Sequence, residues 1–303
     1  MKRVLVLLVA LCLVLVSLVG CNTQKGESNN IDPVTIKDSS GTEVTISKKP
    51  ERIISLVPSS TEIVYALGLG EKIVGVTTYD DFPAEVKTKE KVGDLTVNTE
   101  KVVSLQPDLV LANSLNREAV DSLRKLGMTV LVLNASTFND VYTTIEMIGK
   151  ATGASKQSAD LVATMKKDVE DVKKVVKGVP QEKKPKVWVE IDDKFFTTGK
   201  GTFMNDIIEM AGGINIASDL AGWKQLSEEQ IILRNPDIIF DTYAYMNPNA
   251  AKLIKERTKW QQMNAVKNGK VFDLDSSVIS RPGPRITQGL KEVAKLLHPE
   301  LFQ

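Results

Sequence analysis

Two segments, EKVVSLQPDLVLA from Glu100 to Ala112 and EEQIILRNPDIIF from Glu228 to Phe240, repeat one pattern: an acidic residue, a helix-like run, a Pro-Asp corner and an apolar strand-type run. Glu100 stands seven positions before Pro107 and Glu229 seven before Pro236, so the copies lie 129 residues apart. That distance exceeds solenoid periods and suits two similar domains of ordinary size. With 303 residues and 42% hydrophobic content, the chain can bury two such cores.

The N-terminus decides the compartment. Lys2 and Arg3 precede an apolar run from Val4 to Val19, with small residues just before Cys21, which is a signal-peptide layout over residues 1–20. LVGC resembles a bacterial lipobox, making Cys21 the lipidated first residue of the mature chain; an uncleaved membrane anchor is the alternative, because the run approaches spanning length. Residues 21–49 then hold a polar tether and a hairpin around the Ser-Ser-Gly turn of VTIKDSSGTEVTI. Either reading puts the globular part outside the cytoplasm, lipid-anchored on the outer face of the membrane in the first case.

Several chemistries drop out on residue counts. Cys12 leaves with the signal peptide and Cys21 carries lipid, so no thiol remains for a disulfide, a nucleophile or a metal cluster. His298 is the one histidine and sits at a helix-like C-terminus before Pro299, where cations are favoured; a histidine-based metal site or a serine triad has little to build on. A net charge of +1 with scattered basic residues gives no nucleic-acid face. Neither a dinucleotide fingerprint nor a phosphate loop is present, since GLGEK follows a helix and TTGKGT lacks the first glycine.

Element order predicts an α/β fold of two Rossmann-like lobes with mainly parallel sheets. In residues 50–153, strands at Ile53 to Val57 and Ile73 to Thr77 flank a helix from Thr61 to Leu67 capped by Ser59 or Ser60; Leu109 to Ala112, a helix near Arg117 to Leu126 and Val130 to Leu133 repeat the unit. In residues 179–303, KVWVEI, a helix around Phe203 to Ala211, PDIIF and KVFDLD answer it. Between them, residues 154–178 place Leu161, Met165, Val169, Val172 and Val176 on one helical face with no interior glycine or proline, so one long helix bridges the lobes. A second sheet-covering helix is the plainer alternative.

Open α/β sheets bind ligands at the carboxyl ends of their strands, and two lobes present two such edges to one cleft. Candidates there are Tyr79, Asp80 and Phe82 after the second strand, Phe195 and Phe196 after the first strand of the second lobe, Trp223 in a loop, Tyr243 and Tyr245 at a strand end, and Ser276, Ser277 and Arg281 after the last strand. Loop aromatics weigh most, because flat apolar faces with a few polar groups suit a large planar macrocycle.

The order and spacing of RIISLVPSSTEIVYALG, VGVTTYDDFP, the two Glu and Pro-Asp copies, AGGINIA and SRPGPRI resemble those of bacterial ABC-transporter substrate-binding lipoproteins of the cobalamin and iron-siderophore type, the helical-backbone class III periplasmic binding proteins. The similarity runs from about Arg52 to the C-terminus. It implies a monomeric, non-enzymatic protein without a cofactor of its own, which carries cobalamin or a related corrinoid to a permease and its ATPase; a ferric siderophore or haem is the alternative cargo. It implies ligand contacts at Phe82, Phe196, Trp223 and Arg281, and permease docking through Glu100 and Glu229. The chain departs from the cobalamin pattern at Ser277, where an acid is expected, and near Asp94 and Leu95, where an aromatic is.

Overall fold

The computed structural model describes residues 33–302. The expected signal peptide, Cys21 and most of the tether lie outside them. First comes the hairpin, with β1 (Val34–Lys37) antiparallel to β2 (Glu43–Ile46). Asp38 shapes its turn by accepting the Ser40 and Thr42 N–H groups at 2.8 and 3.1 Å, and Gly41 takes the left-handed φ of 83° that a side chain would resist.

Strands β3 (Ile53–Ser55), β4 (Ile73–Val76), β5 (Glu90–Lys91), β6 (Leu109–Ala112) and β7 (Val130–Val132) form one parallel sheet in the order β5-β4-β3-β6-β7. Next along the chain are β8 (Lys186–Glu190), β9 (Phe196–Thr198), β10 (Ile214–Asn215), β11 (Trp223–Gln225), β12 (Ile238–Asp241) and β13 (Val271–Asp273). Of these, β10-β8-β12-β13 make the second parallel sheet, while β9 and β11 pair antiparallel as a separate ribbon. In chain order the first sheet runs third-second-first-fourth-fifth and the second runs second-first-third-fourth; without the two-residue edge strand β5 the two orders are the same, so the sequence repeat is a repeat of topology. The ribbon was not expected: Trp223 read as loop, but it lies in a strand opposite Thr198.

Eleven helices among the described residues connect the strands: α1 (Pro58–Ala66), α2 (Thr99–Ser104), α3 (Arg117–Lys125), α4 (Phe138–Thr152), α5 (Ser155–Val176), α6 (Phe203–Met210), α7 (Glu228–Arg234), α8 (Ala250–Glu256), α9 (Asn264–Lys267), α10 (Ser276–Ile279) and α11 (Ile286–Leu297). The Pro-Asp corner works on the same plan in both copies. Gln106 and Asn235, each just before the proline, turn to φ of 46° and 43° and end α2 and α7. Asp108 then accepts the Glu51 and Arg52 N–H groups at 3.0 Å each, and Asp237 accepts that of Lys186 at 2.9 Å. Each aspartate thereby pins the start of its lobe's first strand, which fixes the strand beside the one it precedes.

Helix α5 spans 22 residues, about 33 Å at the usual rise. Its buried face is Val162, Met165, Val169, Val172 and Val176; Leu161, expected on that face, sits at its margin. The helix packs on α4 near its start and on α6 and α11 further along, joining the lobes. At the α4 crossing a Cβ on Gly149 would fall 2.1 Å from Ser158 Oγ, so only glycine permits that approach. One apolar core runs continuously from Ile53 and Leu109 through the α5 face to Val187, Phe240 and Leu297. The opposite sheet faces have their own cores, around Ile54, Val110 and Leu123 in the first lobe and Trp188, Ile239 and Trp260 in the second. Successive residues of β3 and β8 thus face different cores, as strand alternation dictates.

Candidate functional site

In each sheet the chain leaves the first strand toward one neighbour and returns to the other side, which opens a crevice at the strands' carboxyl ends. The two crevices, β3/β6 and β8/β12, face each other across the interlobe cleft. A cavity of about 420 Å³ lies on the first-lobe side, with Ser59, Ser60, Asn113, Asn134 and Ser136 on one wall and Trp223 and Pro282 of the second lobe on the other. No charged side chain lines it. A larger cavity of about 700 Å³ lies between Tyr79 and Asp81 of the first lobe and Thr242, Tyr245, Asp275, Ser277 and Arg281 of the second.

Local sequence explains part of this lining. Helix α1 begins with Pro58 in its first turn, and its N-cap Val57 makes no side-chain cap, so Ser59 and Ser60 are not the caps the sequence suggested. Their hydroxyl-bearing side chains lie at the cavity wall instead. Trp223 leans edge-on against Phe203, 5.8 Å between centroids, and stays half-exposed. Phe196, opposite Gln225, is the diagonal neighbour of Trp223 on the same ribbon face. It is partly exposed but lines neither cavity.

Between the cavities the lobes are tied by charge. Glu62 of α1, its side chain 2% exposed, accepts from Arg285 Nη2 at 2.6 Å and Arg281 Nη1 at 3.3 Å on Oε1, and from Arg285 Nε at 2.9 Å on Oε2. Arg281 also donates to Asp81 Oδ1 at 2.5 Å and to the Tyr79 carbonyl at 3.3 Å, and Arg285 to Ser277 Oγ at 3.2 Å. The Arg285 guanidinium lies 4.0 Å over the Phe82 ring. Burial alone would raise the Asp81 carboxyl, but Arg281 and then Arg285 outweigh it and hold it below the usual carboxylate range. Arg285 is the N-cap residue of α11, and its guanidinium reaches across to Glu62 of the first lobe.

Behind the second-lobe strand ends sit two more carboxylates. Glu190, fully buried, is gripped by Arg257 through two 2.7 Å bonds and also accepts from Tyr243 OH at 2.8 Å and Trp188 Nε1 at 3.2 Å. Arg257 in turn lies 4.3 Å over Trp260 and 5.1 Å over Phe195. Asp241, equally buried, has no hydrogen-bond partner on either oxygen and faces Asp273 across the β12/β13 register. Burial, followed by the close approach of the Asp273 carboxyl, pushes its carboxyl up to about 8.

The structure brings Tyr79, Trp223, Ser277 and Arg281 into the cleft walls and puts Phe82 against Arg285. It turns three of the expected contacts away from the cavities. Asp80 is buried and turned back to accept the Thr77 N–H and hydroxyl at 2.9 and 2.6 Å, organising the loop after β4; burial raises its carboxyl above the usual range. Tyr243 is likewise buried, its hydroxyl spent on Glu190, while its neighbour Tyr245 is the exposed one at the cavity. Phe195 is packed on Trp260. Glu100 and Glu229 both sit exposed in the first turns of short helices capped by Asn98 and Ser227. Sequence reasoning missed Glu62, Asp81 and the serine and asparagine wall.

Residues 53–278 match the family model described as periplasmic binding protein. The chain is 43% identical over 308 residues, 97% of either chain, to an uncharacterized ABC transporter substrate-binding lipoprotein, YvrC, of Bacillus subtilis (strain 168). It is 32% identical over 276 residues, 88% of this chain and 74% of the other, to a cobalamin-binding protein of Halobacterium salinarum. Among solved structures, that of a possible iron-binding periplasmic solute-binding protein from Staphylococcus epidermidis is 39% identical, with a TM-score of 0.73, covering 83% of this chain and all of that one.

Proposed function

Because the chain belongs to the periplasmic binding protein family and is a substrate-binding protein of an ABC importer, not an enzyme, we propose that its cargo is cobalamin or a related corrinoid. The observation that carries this reading is the charge state of the cleft. Its two arginines are engaged by Glu62 and Asp81, and the wall opposite Trp223 offers hydroxyls and amides without a charge. A corrinoid is a broad disc rimmed with amides and close to neutral. Such a ligand, laid across both cavities, would place its apolar face on Trp223 and its amides against Ser59, Ser60, Asn113 and Asn134. Tyr79, Ser277 and Arg281 would complete the contacts in the larger cavity, and a disc wide enough to reach past the two cavities would meet Phe82 and Phe196 as well.

Delivery follows from the repeat. Glu100 and Glu229 stand at matching places in the two lobes, exposed at helix starts where nothing in the fold requires a pair, and we assign them to docking on basic residues of the permease. Cys21 would hold the protein by lipid to the outer face of the membrane. Calorimetric titration of residues 22–303 with cyanocobalamin, a ferric hydroxamate siderophore and haem tests the cargo. One-to-one binding of the corrinoid alone is expected; binding of the siderophore or haem alone would overturn the corrinoid reading, in favour of an iron cargo such as that of the possible iron-binding protein from Staphylococcus epidermidis.

A further inference from the structure

The two cavities that make up the cleft contain one positively charged side chain in their linings, Arg281, with Arg285 directly behind it. Both guanidiniums come from the second lobe and both are met by one carboxylate from the first. Arg285 has all three of its nitrogens engaged, by Glu62 and Ser277, and its face covered by Phe82. Arg281 divides its two terminal nitrogens among Glu62, Asp81 and the Tyr79 carbonyl. Two guanidiniums held this close repel each other unless an anion lies between them, and here the protein supplies that anion itself.

We propose that Glu62 sets the charge selectivity of the cleft: as an internal anion it withholds Arg281 and Arg285 from anionic cargo, such as citrate- or catecholate-bound iron. This rests on the reading of the interlobe cleft as the ligand site. Glu62 is a positioning residue in this scheme and need not touch the ligand. Replacing its charge by an amide of nearly the same shape leaves two partly desolvated cations at the cleft wall, with Asp81 alone to balance them. An anion entering the cleft then takes the place of the missing carboxylate. Arginine forks suit such multidentate oxygen anions.

The test compares the full chain with its Glu62→Gln variant in titrations with ferric citrate, with iron(III) bound to 2,3-dihydroxybenzoate, and with cyanocobalamin. The variant is expected to bind the anionic chelates roughly ten- to a hundred-fold more tightly than the unmodified protein does, with a gain that shrinks as salt is added. Adding Arg281→Gln to the variant should abolish the gain, an outcome that a merely loosened interlobe contact would not produce. Asp81→Asn, which leaves Glu62 in place and guards against failure of the first variant to fold, should give a smaller gain in the same direction. Unchanged anion affinity in both folded variants, or tight chelate binding by the unmodified protein, overturns the proposal. Failure of the unmodified protein to bind cyanocobalamin would sink the corrinoid reading separately, because the charge effect is measured between variants on the same anion.

Discussion

At the carboxyl ends of the first sheet, strands β3 and β6 run out into Leu56 and Ala112, both buried and apolar; at the matching places of the second sheet stand Glu190 and Asp241. The shared corner makes the comparison direct, since Asp108 and Asp237 fix the same register between each lobe's first strand and the strand that follows the corner, β3 with β6 and β8 with β12. A topology laid down twice therefore carries opposite chemistry at its two switch points. The first lobe ends its central strands in hydrocarbon and leaves the polar work to side chains that line the cavity. The second lobe buries ionisable groups there and must balance them from within. Glu190 is balanced by Arg257, Tyr243 and Trp188, and Asp241 is not. At the ends of the two central strands, buried carboxylates are thus a property of the second lobe; the first lobe keeps its own, Asp80, in the loop after β4.

The largest expected effect strikes the balanced carboxylate. Arg257→Ala should cost about 3–5 kcal/mol in urea unfolding, because Glu190 is left buried without its counter-ion; a loss below about 1 kcal/mol would mean that Tyr243 and Trp188 suffice. Next comes Asp241→Ala, which gives the second lobe the residue the first lobe has. The folded Asp241 keeps its proton up to about 8, whereas in the unfolded chain it ionises near its ordinary value of 3.8. Between those limits the unfolded state holds fewer protons than the folded one, so this group's contribution to stability falls as pH rises and levels off above about 8. Asp241→Ala should therefore stabilise by about 1–3 kcal/mol at pH 8, by much less near pH 4, and flatten the slope between. An unchanged slope would show that Asp241 does not titrate in that range.

Smaller again are the corners. Asp108→Ala and Asp237→Ala should each cost on the order of 1–2 kcal/mol, as expected for losing acceptors of backbone N–H groups. Asp108 holds two such groups and the exposed Lys48, whereas Asp237 holds one and the Asn264 side-chain amide, so the loss at Asp108 should be the greater; equal losses would mean that the Asn264 bond offsets the second backbone group. Last, Glu100→Ala and Glu229→Ala should leave folding and ligand affinity unchanged while each lowers cargo uptake through the importer. Uptake lost from only one of them would break the symmetry between the lobes.

What the sequence made legible is what is local or periodic. The Pro-Asp repeat, the apolar strand runs and the face of α5 are written within windows of a few residues, and they suffice for two parallel lobes, a bridging helix and a cleft between strand ends. Side-chain direction after a strand is not written that way. Tyr79 and Asp80 follow the same strand, and which one faces the cleft depends on the Thr77 groups that draw Asp80 inward. Tyr243 and Tyr245 divide in the same manner around Glu190. Glu62 was invisible because its partners lie 219 and 223 residues away, and nothing around it in TEIV departs from an ordinary helix. The ribbon escaped for a related reason: its two strands are three residues each, too short for alternation to register.

The core that passes from Ile53 through α5 to Leu297 bears on how the molecule comes apart. Lobes with separate interiors melt separately, each at its own temperature. Here the inward faces of both sheets share one packed interior with the connecting helix, so neither lobe keeps its buried surface once the other opens. Heating should give a single calorimetric transition whose enthalpy equals the van't Hoff value, and the lobes, alike enough to count as copies, stand or fall as one cooperative unit.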